Sequence, residues 1–226
     1  MNAQASEIDV DMMVDHVVNS FETGEGSTEP FPHWQMNDFV PHSLAKGMAN
    51  LELPESRVDW SNGERRTEVS HRFFFSPEVS SGMPLCGLFN RIFLDRRIVK
   101  LVQDKFSMSP EDCFLRVERC QDIDGFWLKP HVDESDKLMT LQIYLSDQPE
   151  AAEWGTDILD ADRAVVKRAR STFNSAFLFI PAKNTWHGFE RRPITGLRKS
   201  IIVNYVSNRW RTTSELANPS APLSYT

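Results

Sequence analysis

Apolar positions first recur at helical spacing near the N-terminus, where Ile8, Met12, Met13, Val17 and Phe21 follow Ser6, a residue suited to capping. This pattern predicts a helix over residues 6–21. Gly24 and Gly26 interrupt it, and TGEGSTEPFP reads as a polar linker of turn formers. A short strand is expected over His33 to Phe39. A short helix is expected over Pro41 to Leu53, with Pro41 in its first turn. Residues 54–82 are polar and irregular apart from Phe73, Phe74 and Phe75, a length that signals a lid, a binding loop or hidden strands. From Pro84 to Phe106, the longest helical pattern, Leu85, Leu88, Phe89, Ile92, Val99, Val102 and Phe106 form one stripe. Arg96, Arg97, Lys100 and Asp104 lie largely outside it.

After Pro110 the period changes. Short runs rich in β-branched and aromatic residues alternate with turn segments at 113–119, 126–132, 137–145, 175–181 and 198–206. Helices followed by strands, without βαβ alternation, point to helices packed on an antiparallel sheet or barrel. One domain over residues 1–226 is expected, with a helical and irregular part at 1–112 and a β core at 113–206. The polar, proline-bearing segment 212–226 is read as a mobile tail.

Composition narrows the function classes. Apolar residues make up 40% and charged residues 25%, ordinary values for a globular chain. The net charge of −7 and the lack of a basic stripe argue against a nucleic-acid partner. No apolar run approaches a bilayer span, so no membrane partner is expected. The acidic N-terminus lacks the layout of a signal peptide. Cys86, Cys113 and Cys120 are odd in number and without CxxC spacing, which fits buried thiols in a reducing compartment. By elimination, a cytoplasmic location is expected.

Within the β region stands His131-Val132-Asp133. Strand alternation puts His131 and Asp133 on one face. With an imidazole from a distant segment they would form a facial triad of the kind that suits Fe(II) and leaves positions open; zinc fits less naturally. The tripeptide alone is common. The distant imidazole expected is His187, at the mouth of the apolar run Ser175 to Ile180, whereas His16, His33, His42 and His71 read as ordinary hydrogen-bonded or solvated residues. Further along, Arg198 and Ser200 share a strand face, and a guanidinium fork with a neighbouring hydroxyl can hold a carboxylate. Arg191, Arg192 and Lys199 compete for that role.

The segments FLRVERCQDIDGFWLKPHVDESDKLMTLQIYLSD, WGTDIL and FLFIPAKNTWHGFERRPITGLRKSIIVNYV together resemble the Fe(II)/2-oxoglutarate-dependent oxygenase superfamily, on its prolyl-4-hydroxylase-like side. The resemblance is strong over residues 113–206, and PFPHWQMNDFVP resembles an opening strand seen in many members. It implies a mainly β fold with flanking helices and a double-stranded β-helix core, a cupin-like jelly-roll. It also implies His131, Asp133 and His187 as the metal ligands, and Arg198, Ser200 and Tyr144 as the holders of 2-oxoglutarate. Tyr144 shares a strand face with Thr140 and Gln142, while Leu141, Ile143 and Leu145 take the other. A polar face with a phenol suits a wet cavity.

The resemblance further implies an enzyme that uses Fe(II), 2-oxoglutarate and O2, with ascorbate as a reductant, and that hydroxylates a substrate while releasing succinate and CO2. No catalytic residue beyond the metal ligands is implied. Relatives that act on protein prolines often carry a double glycine where this chain reads Glu153-Trp154-Gly155-Thr156, which turns the expectation toward a small-molecule substrate. Arg116, Trp127 and Lys137 are the candidate substrate contacts, and such cations would suit an anionic metabolite. Asp133 in place of a small residue favours hydroxylation over halogenation. A peptidyl hydroxylase and a non-catalytic jelly-roll binding protein are the alternatives. Oligomeric state is not legible.

Overall fold

The computed structural model describes residues 3–52, 72–109 and 112–223. The helical part begins with α1 (Ala3–Glu22), followed by the short strands β1 (Glu25–Ser27) and β2 (His33–Met36) and by α2 (His42–Ala49). After residues 53–71, which lie outside the described ones together with most of the expected lid and His71, come β3 (Arg72–Phe74) and α3 (Pro77–Gly82). Phe73 and Phe75 pack into the core, so the three phenylalanines belong to a strand and its flank rather than to a lid.

The long pattern from Pro84 splits into α4 (Pro84–Phe93) and α5 (Arg96–Phe106). Asp95 divides it, because its carboxylate accepts the Arg97 amide at 2.8 Å and so caps a new helix instead of continuing the old one. Both halves keep the expected stripe inward, with Phe89, Ile92, Val99, Val102 and Phe106 buried. Pro41 serves as the N-cap of α2 rather than in its first turn.

The β region supplies β4 (Cys113–Asp122), β5 (Leu128–His131), β6 (Lys137–Tyr144), β7 (Asp157–Leu159), β8 (Val165–Arg168), β9 (Ala176–Phe179), β10 (His187–Phe189) and β11 (Arg198–Ser207). They form two antiparallel sheets, a seven-stranded one in the order β1-β2-β9-β6-β11-β4-β3 and a four-stranded one in the order β5-β10-β7-β8. This is the jelly-roll architecture. The helices cover one face of the large sheet, where Leu115, Val117, Leu141, Ile143, Leu178, Ile201 and Val203 meet Phe21, Met48, Phe89 and Phe93 in one apolar core. The Tyr205 hydroxyl reaches into the helical layer and donates to the Phe93 carbonyl at 2.6 Å. Arg119 and Lys199 donate to the Met48 and Ala49 carbonyls at the end of α2, where cations favour a helix C-terminus. Lys199 is thereby turned to the helical side of the sheet.

All three cysteines are buried and outside any disulfide. The segment read as a mobile tail lies against β4: Leu216 and Leu223 bridge Arg116 and Cys113, and Glu215 pairs with Arg116 at 2.6 Å. Its few apolar and acidic side chains find specific partners, which composition alone does not reveal. No described helix is long and apolar enough to cross a membrane.

Candidate metal centre

The opposite face of the large sheet, with the small sheet, encloses a cavity of about 520 Å³. Register decides which side chains enter it. β11 runs between β4 and β6, so Ser200 stands opposite Cys120 and Tyr144, Ile202 opposite Glu118 and Gln142, and Asn204 opposite Arg116 and Thr140. Alternation therefore turns Arg116, Glu118, Thr140, Gln142, Arg198 and Ile202 inward, while their sequence neighbours enter the apolar core.

On the small sheet, His131 of β5 is the register partner of His187 of β10, and their rings lie 4.2 Å apart between centroids. Asp133 follows in the loop after β5. One donor atom from each of His131, Asp133 and His187 can be chosen so that all lie within 4.8 Å of one another. Each imidazole points Nδ1 at the carbonyl two residues earlier, His131 to Lys129 at 3.0 Å and His187 to Thr185 at 2.9 Å. A backbone carbonyl can only accept, so Nδ1 carries the proton and Nε2 is left with its lone pair, the form in which imidazole binds metals. Burial, aided by the neighbouring His187, lowers the His131 pKa to about 4, so this ring is neutral at ordinary pH. Burial alone would raise the Asp133 pKa; the Lys137 charge, the neighbouring His187 and two hydrogen bonds outweigh it and hold the carboxyl well below the usual range. Those bonds come from Lys137 Nζ to Oδ1 at 2.5 Å and from Thr140 Oγ1 to Oδ2 at 2.6 Å. With both rings in their neutral form the set offers two nitrogens and one anionic oxygen, which fits a divalent ion such as Fe(II).

A second polar group lies across the cavity. Arg198 is buried, donates from Nε to the Trp154 carbonyl at 2.7 Å and from Nη1 to Asp122, and packs over the Phe189 ring. Gln142 and Thr156 stand on the same wall. Behind them the Tyr144 hydroxyl donates to Thr156 Oγ1 at 2.9 Å, Thr156 donates to Gln142 Oε1 at 2.6 Å, and Gln142 Nε2 donates to Ser200 Oγ at 3.2 Å. Tyr144 and Ser200, expected at the cavity surface, are thus one bond further back, because their hydroxyls are used inside the wall. Gln142 and Thr156 line the cavity in their place. Gln142 could have been found from its strand face; Thr156, in a three-residue strand's approach, left no periodic signal.

Arg191 and Arg192 do not compete with Arg198. Arg191 stacks on Trp127, and Arg192 is tied to Asp157. Trp127 itself is a correction. It lines a shallow pocket on the outer side of the small sheet, and Phe126 takes the cavity side. The cause is a register shift between His187 and Phe189, which sets Leu128 rather than Lys129 opposite Phe189 and breaks the alternation on which a facing position depends. Arg116 does line the cavity but is already paired with two carboxylates: Nε donates to Glu215, Nη1 to Asn204 Oδ1 at 2.9 Å and Nη2 to Glu118 at 3.1 Å, with Phe74 and Trp210 rings within 5.1 Å. It builds the wall instead of waiting for an anion. Lys137 lines the cavity too, held by Asp133.

No protein-family model and no curated protein sequence matches the chain. Its fold does match solved structures. A prolyl-4-hydroxylase from Pseudomonas putida superposes with a TM-score of 0.57 at 16% identity, over 86% of this chain and 99% of that one. A Trichoplax adhaerens prolyl hydroxylase, solved with a hypoxia inducible factor peptide fragment, gives 0.54 at 12% identity over 92% and 95%. HygX from Streptomyces hygroscopicus, solved with nickel, 2-oxoglutarate and hygromycin B bound, gives 0.53 at 15% identity over 79% and 85%. At such identities the likeness is one of fold.

Proposed function

We propose that this chain is an Fe(II)- and 2-oxoglutarate-dependent oxygenase that hydroxylates a small polar molecule. The observation that carries the reading is the meeting of two Nε2-presenting histidines and a deprotonated aspartate on one cavity wall, with a buried arginine on the other. In this reading His131, Asp133 and His187 hold the iron, and Arg198 with Gln142 and Thr156 receives the far carboxylate of 2-oxoglutarate. Tyr144 and Ser200 fix the side chains of that wall. Iron, 2-oxoglutarate and O2 supply oxidation of a C–H bond, with succinate and CO2 as by-products and ascorbate as a reductant. The chain's own part is to keep the His131 ring neutral, to orient Asp133 through Thr140, and to line the cavity beside the metal with Phe126, Phe179 and Phe189, which exclude water.

The neighbours solved with 2-oxoglutarate, iron or nickel support the co-substrate and metal. A cavity of about 520 Å³ falls in the range of small-ligand sites, and Trp154, buried beside Phe126 and Phe189, closes the turn where a double glycine was expected in peptide-modifying relatives. Because the charge of Arg116 is already met by Glu118 and Glu215, a polar substrate replaces the anionic one suggested by its sequence position.

Anaerobic addition of Fe(II) and 2-oxoglutarate should produce a weak visible charge-transfer band, lost in His131→Ala and Asp133→Ala. A band that persists in both variants overturns the ligand assignment. Succinate release screened across pooled metabolites then identifies the substrate.

A further inference from the structure

Asp133 is gripped at both oxygens by groups of different character. Thr140, on β6, gives Oδ2 a neutral hydroxyl. Lys137, four residues after Asp133, gives Oδ1 a full positive charge at 2.5 Å. The turn that closes with Lys137 N donating to the Glu134 carbonyl at 3.0 Å folds the lysine back over the aspartate, and the pairing of Lys137 with Val206 of β11 fixes its backbone. The pair is shielded from solvent, with side-chain exposures of 17% and 5%.

The two grips differ in what they do to an arriving ion. A hydroxyl bond polarises and aims a carboxylate without opposing a cation. An ammonium on the same carboxylate repels any divalent ion bound there, whichever oxygen that ion takes, and weak screening in a buried site enlarges the repulsion. Removing the ammonium would leave a buried carboxylate without its cation, a state that costs free energy only while no metal is bound. We propose that Lys137 is a placeholder cation, which pairs with Asp133 and holds it in place in the metal-free protein and must yield when the metal binds, whereas Thr140 is a positioning residue that stays with Asp133 throughout. The proposal rests on the metal site proposed above. It separates two neighbours of one carboxylate by the sign of their effect.

Thr140 is itself held. Asn204 Nδ2 donates to Thr140 Oγ1 at 3.0 Å, and Asn204 Oδ1 accepts from Arg116, so its hydroxyl proton is committed to Asp133. The cavity wall built by Arg116, Glu118 and Glu215 thus ends on the metal ligand through one asparagine and one threonine.

Mn(II) is the probe, titrated into full-length protein with the free ion counted by paramagnetic resonance. Lys137→Met and Lys137→Gln should bind Mn(II) more tightly than the parent by on the order of tenfold or more, while Lys137→Arg, which keeps the cation, should stay near the parent. Thr140→Val should bind about 10–100-fold more weakly, with Thr140→Ser restoring affinity. If Lys137→Met folds only with Mn(II) present, the comparison is read from Lys137→Gln. Unchanged or weaker binding in the neutral lysine variants overturns the placeholder role. No binding by the parent protein would instead overturn the metal site.

Discussion

Arg198 shows how one side chain serves fold and ligand together. Its guanidinium faces Asp122 and the Trp154 carbonyl while standing on the cavity wall. Arg198→Ala should therefore weaken 2-oxoglutarate binding by about 1.5–3 kcal/mol, the range for a hydrogen bond to a charged group. It should also lower folding stability by on the order of 3 kcal/mol, because Asp122 loses a buried cation. Arg191→Ala, outside the cavity on Trp127, should change neither. Calorimetric titration beside a thermal melt separates the two effects, and equal binding losses from both variants would misplace the carboxylate site. The clustering of His131, Asp133 and His187 and the inward aim of Arg198 were legible in the sequence because the chemistry of those residue types is narrow and strand alternation is strict. Trp127 was not, because a one-residue register shift carries no signature in composition. Nor were the engaged hydroxyls of Tyr144, whose partner Thr156 lies in another segment, and of Ser200, which accepts from Gln142 of the neighbouring strand.

At the scale of elements, the long strands β4, β6 and β11 could be read because their alternation extends over several residues, and β9 because its run is apolar throughout, whereas β7, β8 and β10 have three or four residues each and show too little period to detect. The helix from Pro84 kept its stripe across Asp95, so periodicity concealed a break made by a side-chain cap. Close packing at the start of β7 is equally invisible from sequence. A Cβ on Gly155 would stand 1.8 Å from the Ala169 carbonyl oxygen, a backbone atom that cannot turn aside. Gly155→Ala should push β7 from β8 and displace Thr156, the residue that holds Tyr144. Expected results are a lower melting temperature and weaker 2-oxoglutarate binding, with Mn(II) binding much less affected because the triad comes from β5, β10 and the loop between β5 and β6. An unchanged melting temperature would contradict this packing.

For the whole molecule, stability in acid follows from histidines buried in the neutral form. Burial lowers the pKa of His33, and that of His131 to about 4, whereas unfolded histidines take up protons near pH 6.5. As pH falls from about 6.5 toward 4 the unfolded chain binds protons first, so the metal-free protein should lose stability across that window. Melting temperatures at pH 7 and pH 5 check it, and equal values would mean that neither ring is held neutral. The strand order carries a different consequence, for the growing polypeptide. β11 fills the place between β4 and β6, yet the ribosome makes it after both. Until it emerges, β4 and β6 each present an open edge, and nothing but the β5 segment keeps these two from zipping together. Such a premature pairing would leave Arg116 without Asn204 and Glu215, a buried guanidinium missing two of its partners. The ion-paired cavity wall thereby penalises a shortcut that the order of synthesis invites, and keeps the gap open for the strand that belongs there.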